Sequence, residues 1–308
     1  MNDVQSHNMY HKGDSMKILI DCLPCMFRQA LEASRMATDK FDLQEKIMED
    51  SIKILSDYKN YKSSPDIARA IHYAVKKATG VYDPYEKIKK RDVAAAKRAY
   101  PMLERFLQKK QNNLCWALKI AATGNIIDSA ISNNVNMEDC IEKELEKEFS
   151  VCDLELFKNK LKTAKSLLII GDNAGETVFD RILAQHLSFL DVTYAVRSEP
   201  IINDATVAVA YASGLGDCTK IISTGCNAPG AILDECSAEF LNIFNSADIV
   251  ISKGQGNFEA LSDVGRQVFF LLKAKCPMIS QKLGVDLNEY VFKYNGSMLN
   301  QAEKMELI

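Results

Sequence analysis

Past Leu161 the chain repeats one pattern: a short apolar run, a polar loop carrying glycine, then a helical stretch. The runs cover 166–170, 192–196, 220–223 and 249–252, with Met278-Ile279 as a weaker fifth. Apolar runs this short that lack polar alternation suit strands buried on both faces. Strands that alternate with helices build a parallel sheet covered by those helices. In open sheets of this kind ligands bind outside the carboxyl ends of the strands, so the loops after each run are where chemistry is expected.

The first half reads differently. From Leu23 to about Phe149 the spacing of apolar residues predicts helices nearly throughout. Pro24 suits a first helical turn, and Ser64-Pro65 and Asp83-Pro84 place a capping oxygen before a proline whose missing N–H costs nothing there. Gly80 is expected to stop the helix between them. A further helix runs from Leu114 to about Ser132, interrupted at Gly124-Asn125, and the charged stretch 138–148 reads as a solvated helix face leading to a linker. The expected organisation is a disordered lead-in over 1–15, a helical domain over 16–160 and an α/β domain over 161–308.

Composition narrows the function classes. With 308 residues of which 47% are apolar, the chain can bury a core. A formal net charge of -3 and a pI near 5.9 leave no basic field for a nucleic-acid backbone. No apolar run approaches the ~20 residues of a membrane helix, and the first fifteen residues lack the apolar core of an export signal. Nucleic acid and membrane are therefore not expected partners. The nine cysteines are scattered apart from Cys22 and Cys25, which fits reduced thiols in a cytoplasm.

The strand-end loops carry the candidate chemistry. Asp172 and Asn173 follow the first run as oxygen ligands, beside a helix start whose free N–H groups favour an anion. Glu176 opens that helix. The second run ends in Arg197, Glu199, Asn203 and Asp204, and the third in a loop of small residues and hydroxyls that includes Thr224, Cys226 and Gly230. The fourth ends in Lys253, Gly254 and Gln255, a lysine followed by glycine that lets main chain approach a ligand. Carboxylates, amide oxygens and a lysine on one sheet edge suit metal-assisted phosphoryl chemistry. Neither a Walker loop nor a G-x-G-x-x-G fingerprint follows the first run, which argues against nucleotide-driven transfer and dinucleotide binding.

The segments GDNAGE, PIINDAT, ISKGQGNFE and LLKAKCP, with the helical GN-x-x-D of Gly124 to Asp128, resemble the damage-control phosphatases, metal-dependent enzymes first catalogued as domain of unknown function eighty-nine. CLPC at Cys22 to Cys25 resembles a prokaryotic subgroup with an N-terminal cysteine pair. The resemblance spans about Met16 to Lys282. It implies a helical domain set on a Rossmann-like α/β/α domain with a mainly parallel sheet. It also implies a divalent cation (Mn, Co, Ni or Mg) held by Asp172, Asn173 and Asp204, with Lys253 on the phosphate and Asn125 and Asp128 lining the cleft from the helical side. Glu176, Arg197, Thr224, Gly254 and Gln255 complete the expected substrate contacts. Gln255 stands where eukaryotic relatives carry an acidic residue, so their substrate preference is not transferred. The implied activity is hydrolysis of a sugar phosphate or damaged phosphometabolite by metal-activated water. Asp172 as covalent nucleophile is the less favoured route, because no D-x-D follows the strand.

Two rivals stay open at this level. One is a carboxyl methyltransferase using S-adenosylmethionine, which the glycine-poor first loop opposes. The other is a metal- or redox-sensing module built on Cys22 and Cys25, a pair most simply read as buried thiols at a helix start. His72 and His186 fall in helices and receive no catalytic role.

Overall fold

The computed structural model describes residues 16, 18–111, 113–124 and 137–296. The expected lead-in at 1–15, the helix beyond Gly124 and the candidates Asn125 and Asp128 lie outside the described residues. Five helices come first: α1 (Cys22–Ala37), α2 (Phe41–Ser56), α3 (Ser64–Thr79), α4 (Glu86–Gln108) and α5 (Asn113–Thr123), with α6 (Met137–Leu145) after them. Ala33, Ile47 and Val75 from α1, α2 and α3 share one buried cluster with Tyr85. Pro65 sits in the first turn of α3, and Gly80 ends it at φ 72, its N–H donating to Lys76 O at 2.8 Å.

The rest alternates strand and helix: β1 (Phe149–Cys152), α7 (Leu154–Leu161), β2 (Ser166–Ile170), α8 (Glu176–His186), β3 (Asp191–Val196), α9 (Val207–Ala212), β4 (Lys220–Ser223), α10 (Ala238–Ser246), β5 (Ile249–Lys253), α11 (Gln255–Leu261), β6 (Phe269–Lys273), α12 (Pro277–Leu283) and β7 (Tyr290–Tyr294). The seven strands form one sheet in the order β1-β7-β6-β5-β2-β3-β4. Every pairing is parallel except β6 with β7.

Alternation along the strands makes three layers. Leu167, Ile169, Ile251 and Leu271 pack on one face with Leu118 of α5, Phe157 of α7 and Leu183 of α8. Leu168, Ile170, Val250 and Phe270 pack on the other with Phe240 of α10, Phe258 of α11 and Ile279 of α12. The chain leaves β2 toward β3 and β4, then returns across the sheet to β5, so the order reverses between β2 and β5. A crevice at such a reversal is where an open α/β sheet binds its ligand.

Three expectations change. Met278-Ile279 belongs to α12, not to a strand; the fifth strand is Phe269–Lys273, whose continuous apolar run was long enough all along. Where a linker was expected after the charged helix, β1 joins the sheet edge by pairing with β7. The charged helix itself buries Ile141 and Leu145, so only part of it is a solvated face. Among the described residues no helix is long and apolar enough to cross a membrane.

Candidate active site

Main-chain hydrogen bonds join the tips of β2 and β3. Asn173 and Asp204 form an antiparallel bridge; Ala174 N–H donates to Asn203 O and Ala205 N–H to Asp172 O, both at 2.8 Å. This holds Asp172, Asn173 and Asp204 side by side on a cavity of about 470 Å³. The helical half closes that cavity through Cys25, Met26 and Gln29 of α1 and Ser64, Pro65 and Ala68 of α3.

The carboxylates there are crowded and dry. Burial first, then the neighbouring Asp204 and Glu176, push the Asp172 carboxyl well above its ordinary range, and Arg197 offsets this only in part. Asp204 is also raised by burial, although Arg197 Nε donates to its Oδ2 at 2.7 Å. Asn173 Nδ2 donates to Glu176 Oε1 at 3.0 Å and lies 3.3 Å from Asp172 Oδ2.

Lys253 lines the cavity, but its ammonium does not stand free for a phosphate. Nζ donates to Glu176 Oε2 and Asp180 Oδ1, each at 2.7 Å, with its side chain 1% exposed. Burial alone would lower its pKa; Asp180 and Glu176 outweigh it, and the group is held protonated. Tyr194 Oη donates to the other oxygen of Asp180 at 2.6 Å. A buried chain thus runs from Tyr194 through Asp180, Lys253 and Glu176 to Asn173.

Asn257 ties the four loops together. Its Nδ2 donates to Gly171 O at 3.0 Å and Lys253 O at 2.8 Å; its Oδ1 accepts from Arg197 Nη1 at 2.9 Å and Ala231 N–H at 3.0 Å. Those partners belong to the ends of β2, β5 and β3 and to the loop after β4. Gly254, at φ 78, could carry no side chain, because a Cβ there would fall 2.0 Å from Asp172 Oδ2. Its glycine makes room for that carboxylate.

The loop before Asp204 is strained. Ile202 adopts φ 43, which a β-branched side chain strongly disfavours. It packs against the Ala33, Ile47, Val75 and Tyr85 cluster, and Lys76 Nζ donates to Pro200 O at 2.6 Å. The helical half therefore clamps the β3 tip.

Of the expected contacts, Glu176, Gly254 and Gln255 line the cavity with Asp172, Asn173, Asp204 and Lys253. Arg197 and Thr224 do not. Arg197 is 1% exposed and bonded to Asp204 and Asn257. The buried Thr224 hydroxyl accepts from Cys226 N–H at 3.2 Å, shaping its own loop. Glu199 is partly exposed, 3.8 Å from Lys76 Nζ. Cys25 is exposed on the cavity wall and Cys22 only partly buried, so the pair is not the buried one expected. Sequence reasoning missed Asp180, Tyr194, Asn257 and Lys275. Asp180 alone left a signal, one helical turn after Glu176 on the same face.

A divalent cation suits this donor set. Ion pairs link Asp172 and Asp204 to Arg197, and Glu176 and Asp180 to Lys253, so carboxylates outnumber these paired cations in the cluster. Among the described residues no three His, Cys, Asp or Glu side chains converge as a metal cage. The fit therefore rests on two carboxylates and an amide oxygen, hard donors of the kind magnesium and manganese accept with water completing the shell.

Comparison with known proteins gives the family. The profile of the damage-control phosphatase ARMT1-like domain matches residues 18–291. A damage-control phosphatase of Pyrococcus horikoshii is 36% identical over 88% of this chain and 95% of its own. One of Archaeoglobus fulgidus is 30% identical over 90% of this chain and 99% of its own. An uncharacterized protein of Methanocaldococcus jannaschii is 33% identical over 91% and 96%. The crystal structure of a DUF89 family protein from Pyrococcus horikoshii superposes with a TM-score of 0.84 at 34% identity, covering 91% of this chain and 99% of that one. With a match running nearly from end to end, the chain belongs to the damage-control phosphatase ARMT1-like family.

Proposed function

We propose that the protein is a divalent-metal-dependent phosphatase that hydrolyses a phosphomonoester of a small, often damaged, metabolite. The observation that carries this reading is the main-chain bridge between Asn173 and Asp204, which brings oxygen donors from two strand tips to one cavity. Asp172, Asn173 and Asp204 would hold the cation, which supplies a Lewis acid for the phosphoryl oxygen and lowers the pKa of water.

The chain's own residues do the positioning. Arg197 fixes the Asp204 carboxylate from behind, and Asn173 holds Asp172 and Glu176 in register. Lys253 adds positive potential at the base of the cavity without leaving its two carboxylates, and Lys275 lines the wall nearby. These cations offset part of the negative charge that Asp172, Asp204, Glu176 and Asp180 place on that side of the cavity. The remaining volume, within about 470 Å³, suits a sugar-sized or smaller organic group. Cytoplasmic action follows from the same reading, since the proposed substrates are intracellular metabolites.

The test is phosphate release from a panel of sugar phosphates, phosphopantetheine derivatives and nucleotides with Mn, Co, Ni or Mg, comparing wild type with Asp172→Ala. Metal-dependent release that falls at least about 100-fold in the variant supports the reading. Equal release by both proteins defeats the site assignment.

A further inference from the structure

Cys226 and Cys236 stand at the two feet of the loop between β4 and α10, outside the machinery described above. The neck of that loop is closed by Ser237 N–H donating to Thr224 O at 2.9 Å. A Cβ on Gly225 would stand 2.8 Å from Ser237 Cβ, so the two feet are in contact one residue from each sulfur. Cys236 packs on the small buried cluster of Cys226, Ala228 and Ile232; Cys226 Sγ donates to Gly230 O at 3.5 Å and Cys236 Sγ to Ile232 O at 3.3 Å. Such proximity lies within the reach of a disulfide.

We propose that Cys226 and Cys236 form an oxidation site, where hydrogen peroxide converts the dithiol into a disulfide across the neck of the loop. The environment prepares Cys226 for the first step. The adjoining Cys236 thiol brings its pKa down to about 6 against burial, with the N–H groups of Ala228 and Ile232 and the charge of Arg197 adding to the effect. Cys236 moves the other way, raised by the adjoining Cys226 and by burial. One sulfur is thus the attacking thiolate and the other the resolving thiol.

The Cys226 thiolate attacks one peroxide oxygen, the O–O bond breaks, and the displaced hydroxide takes up a proton as water. Cys236 then gives up its proton and attacks the Cys226 sulfenic sulfur. The S–S bond forms, the S–O bond breaks, and the departing hydroxide leaves with that proton as a second water. Two thiols and one peroxide give one disulfide and two waters, with two electrons passing from sulfur to oxygen. Cys226 is 1% exposed while Cys236 is partly open, so the site admits an oxidant close to water in size and excludes bulky thiol reagents. Ala231, further round the loop, keeps its hydrogen bond to Asn257 because the bond is made below it, at the neck.

The experiment uses the full chain, reduced, desalted and treated with a small excess of hydrogen peroxide, then blocked with iodoacetamide and mapped by peptide mass. The expected product is a linked peptide pair joining Cys226 to Cys236, lighter than its two free peptides by about 2 Da. It accompanies a rise of roughly 5 °C in Tm that dithiothreitol reverses. In Cys236→Ser the link disappears, and dimedone added in urea after the peroxide is removed captures a sulfenic acid on Cys226. The proposal is overturned if Cys226 and Cys236 remain alkylatable while Cys25 and Cys152 oxidise. Either sulfur linking elsewhere, or Cys226 giving no dimedone adduct in Cys236→Ser, overturns it equally. None of these outcomes depends on phosphatase activity.

Discussion

Lys253 Nζ and Asp180 Oδ1 lie 2.7 Å apart with neither side chain open to solvent. A buried pair of this kind adds little over an apolar replacement, but removing one partner strands the other. Asp180→Ala is expected to cost about 3–5 kcal/mol in urea unfolding, with Glu176 retaining part of the lysine's charge balance. Asp180→Asn, which keeps an acceptor for Lys253, should cost visibly less. A loss below about 1 kcal/mol for the alanine variant would mean the pair does not hold this corner of the sheet.

Asp172 is expected to trade stability for function. Its carboxylate is buried against Asp204 and Glu176, a repulsion that a divalent cation relieves. Metal-free Asp172→Asn should therefore melt higher than metal-free wild type. Only wild type should gain Tm when manganese or magnesium is added. Differential scanning fluorimetry with and without metal reads both effects, and equal metal-induced shifts in the two proteins would contradict the ligand role.

Asn257→Ala would leave Gly171 O, Lys253 O, Ala231 N–H and one Arg197 N–H without their side-chain partner. Allowing for entry of water, the expected loss is about 2–4 kcal/mol, with phosphatase turnover reduced at least about tenfold because all the tips shift. Asn257→Asp should rescue neither, since it restores the acceptor but not the donor. Guanidinium unfolding alongside steady-state kinetics checks this.

His72 is buried, and burial brings its pKa down from 6.5 to about 4, with Lys76 adding to the effect. A folded-state value below the unfolded one means the unfolded chain binds the proton first. Stability is then lost as pH falls from about 6.5 toward 4 and levels off below that. The full contribution is about 3 kcal/mol. His72→Gln does not titrate there, so its stability relative to wild type should improve across that window. A pH-independent difference between the two proteins would show that His72 is not buried in its neutral form.

Much of the fold was legible because it is written in short-range pattern. The β2, β3, β4 and β5 runs are mostly apolar, Gly80 ends α3 and Pro65 stands in its first turn, although Ser64 already belongs to that helix and α4 starts only at Glu86, beyond Asp83-Pro84. The short β1 and the antiparallel β7 were not legible. FSVC and YVFKY carry polar or exposed positions and gain their place by pairing with each other across nearly half of the chain's length. The placing of Asp172, Asn173 and Asp204 on one cavity followed from their positions at strand tips. The roles of Arg197 and Lys253 did not, because a cation reads the same in sequence whether it faces a ligand or a buried carboxylate. Asp180 and Asn257 reach partners as far as 73 and 86 positions away, a separation no local pattern encodes.

The strained turn at Ile202 has a consequence for how the two halves of the molecule can be handled. Its unfavourable φ persists because the helices grip both the isoleucine side chain and the neighbouring Pro200 carbonyl. Cut free of those helices, the turn would spring back and carry Asp204 with it. A fragment beginning at Leu161 would also forfeit the edge strand β1. The helical half is the jig in which the catalytic half is set, and the two should be expressed, truncated and swapped only as one piece.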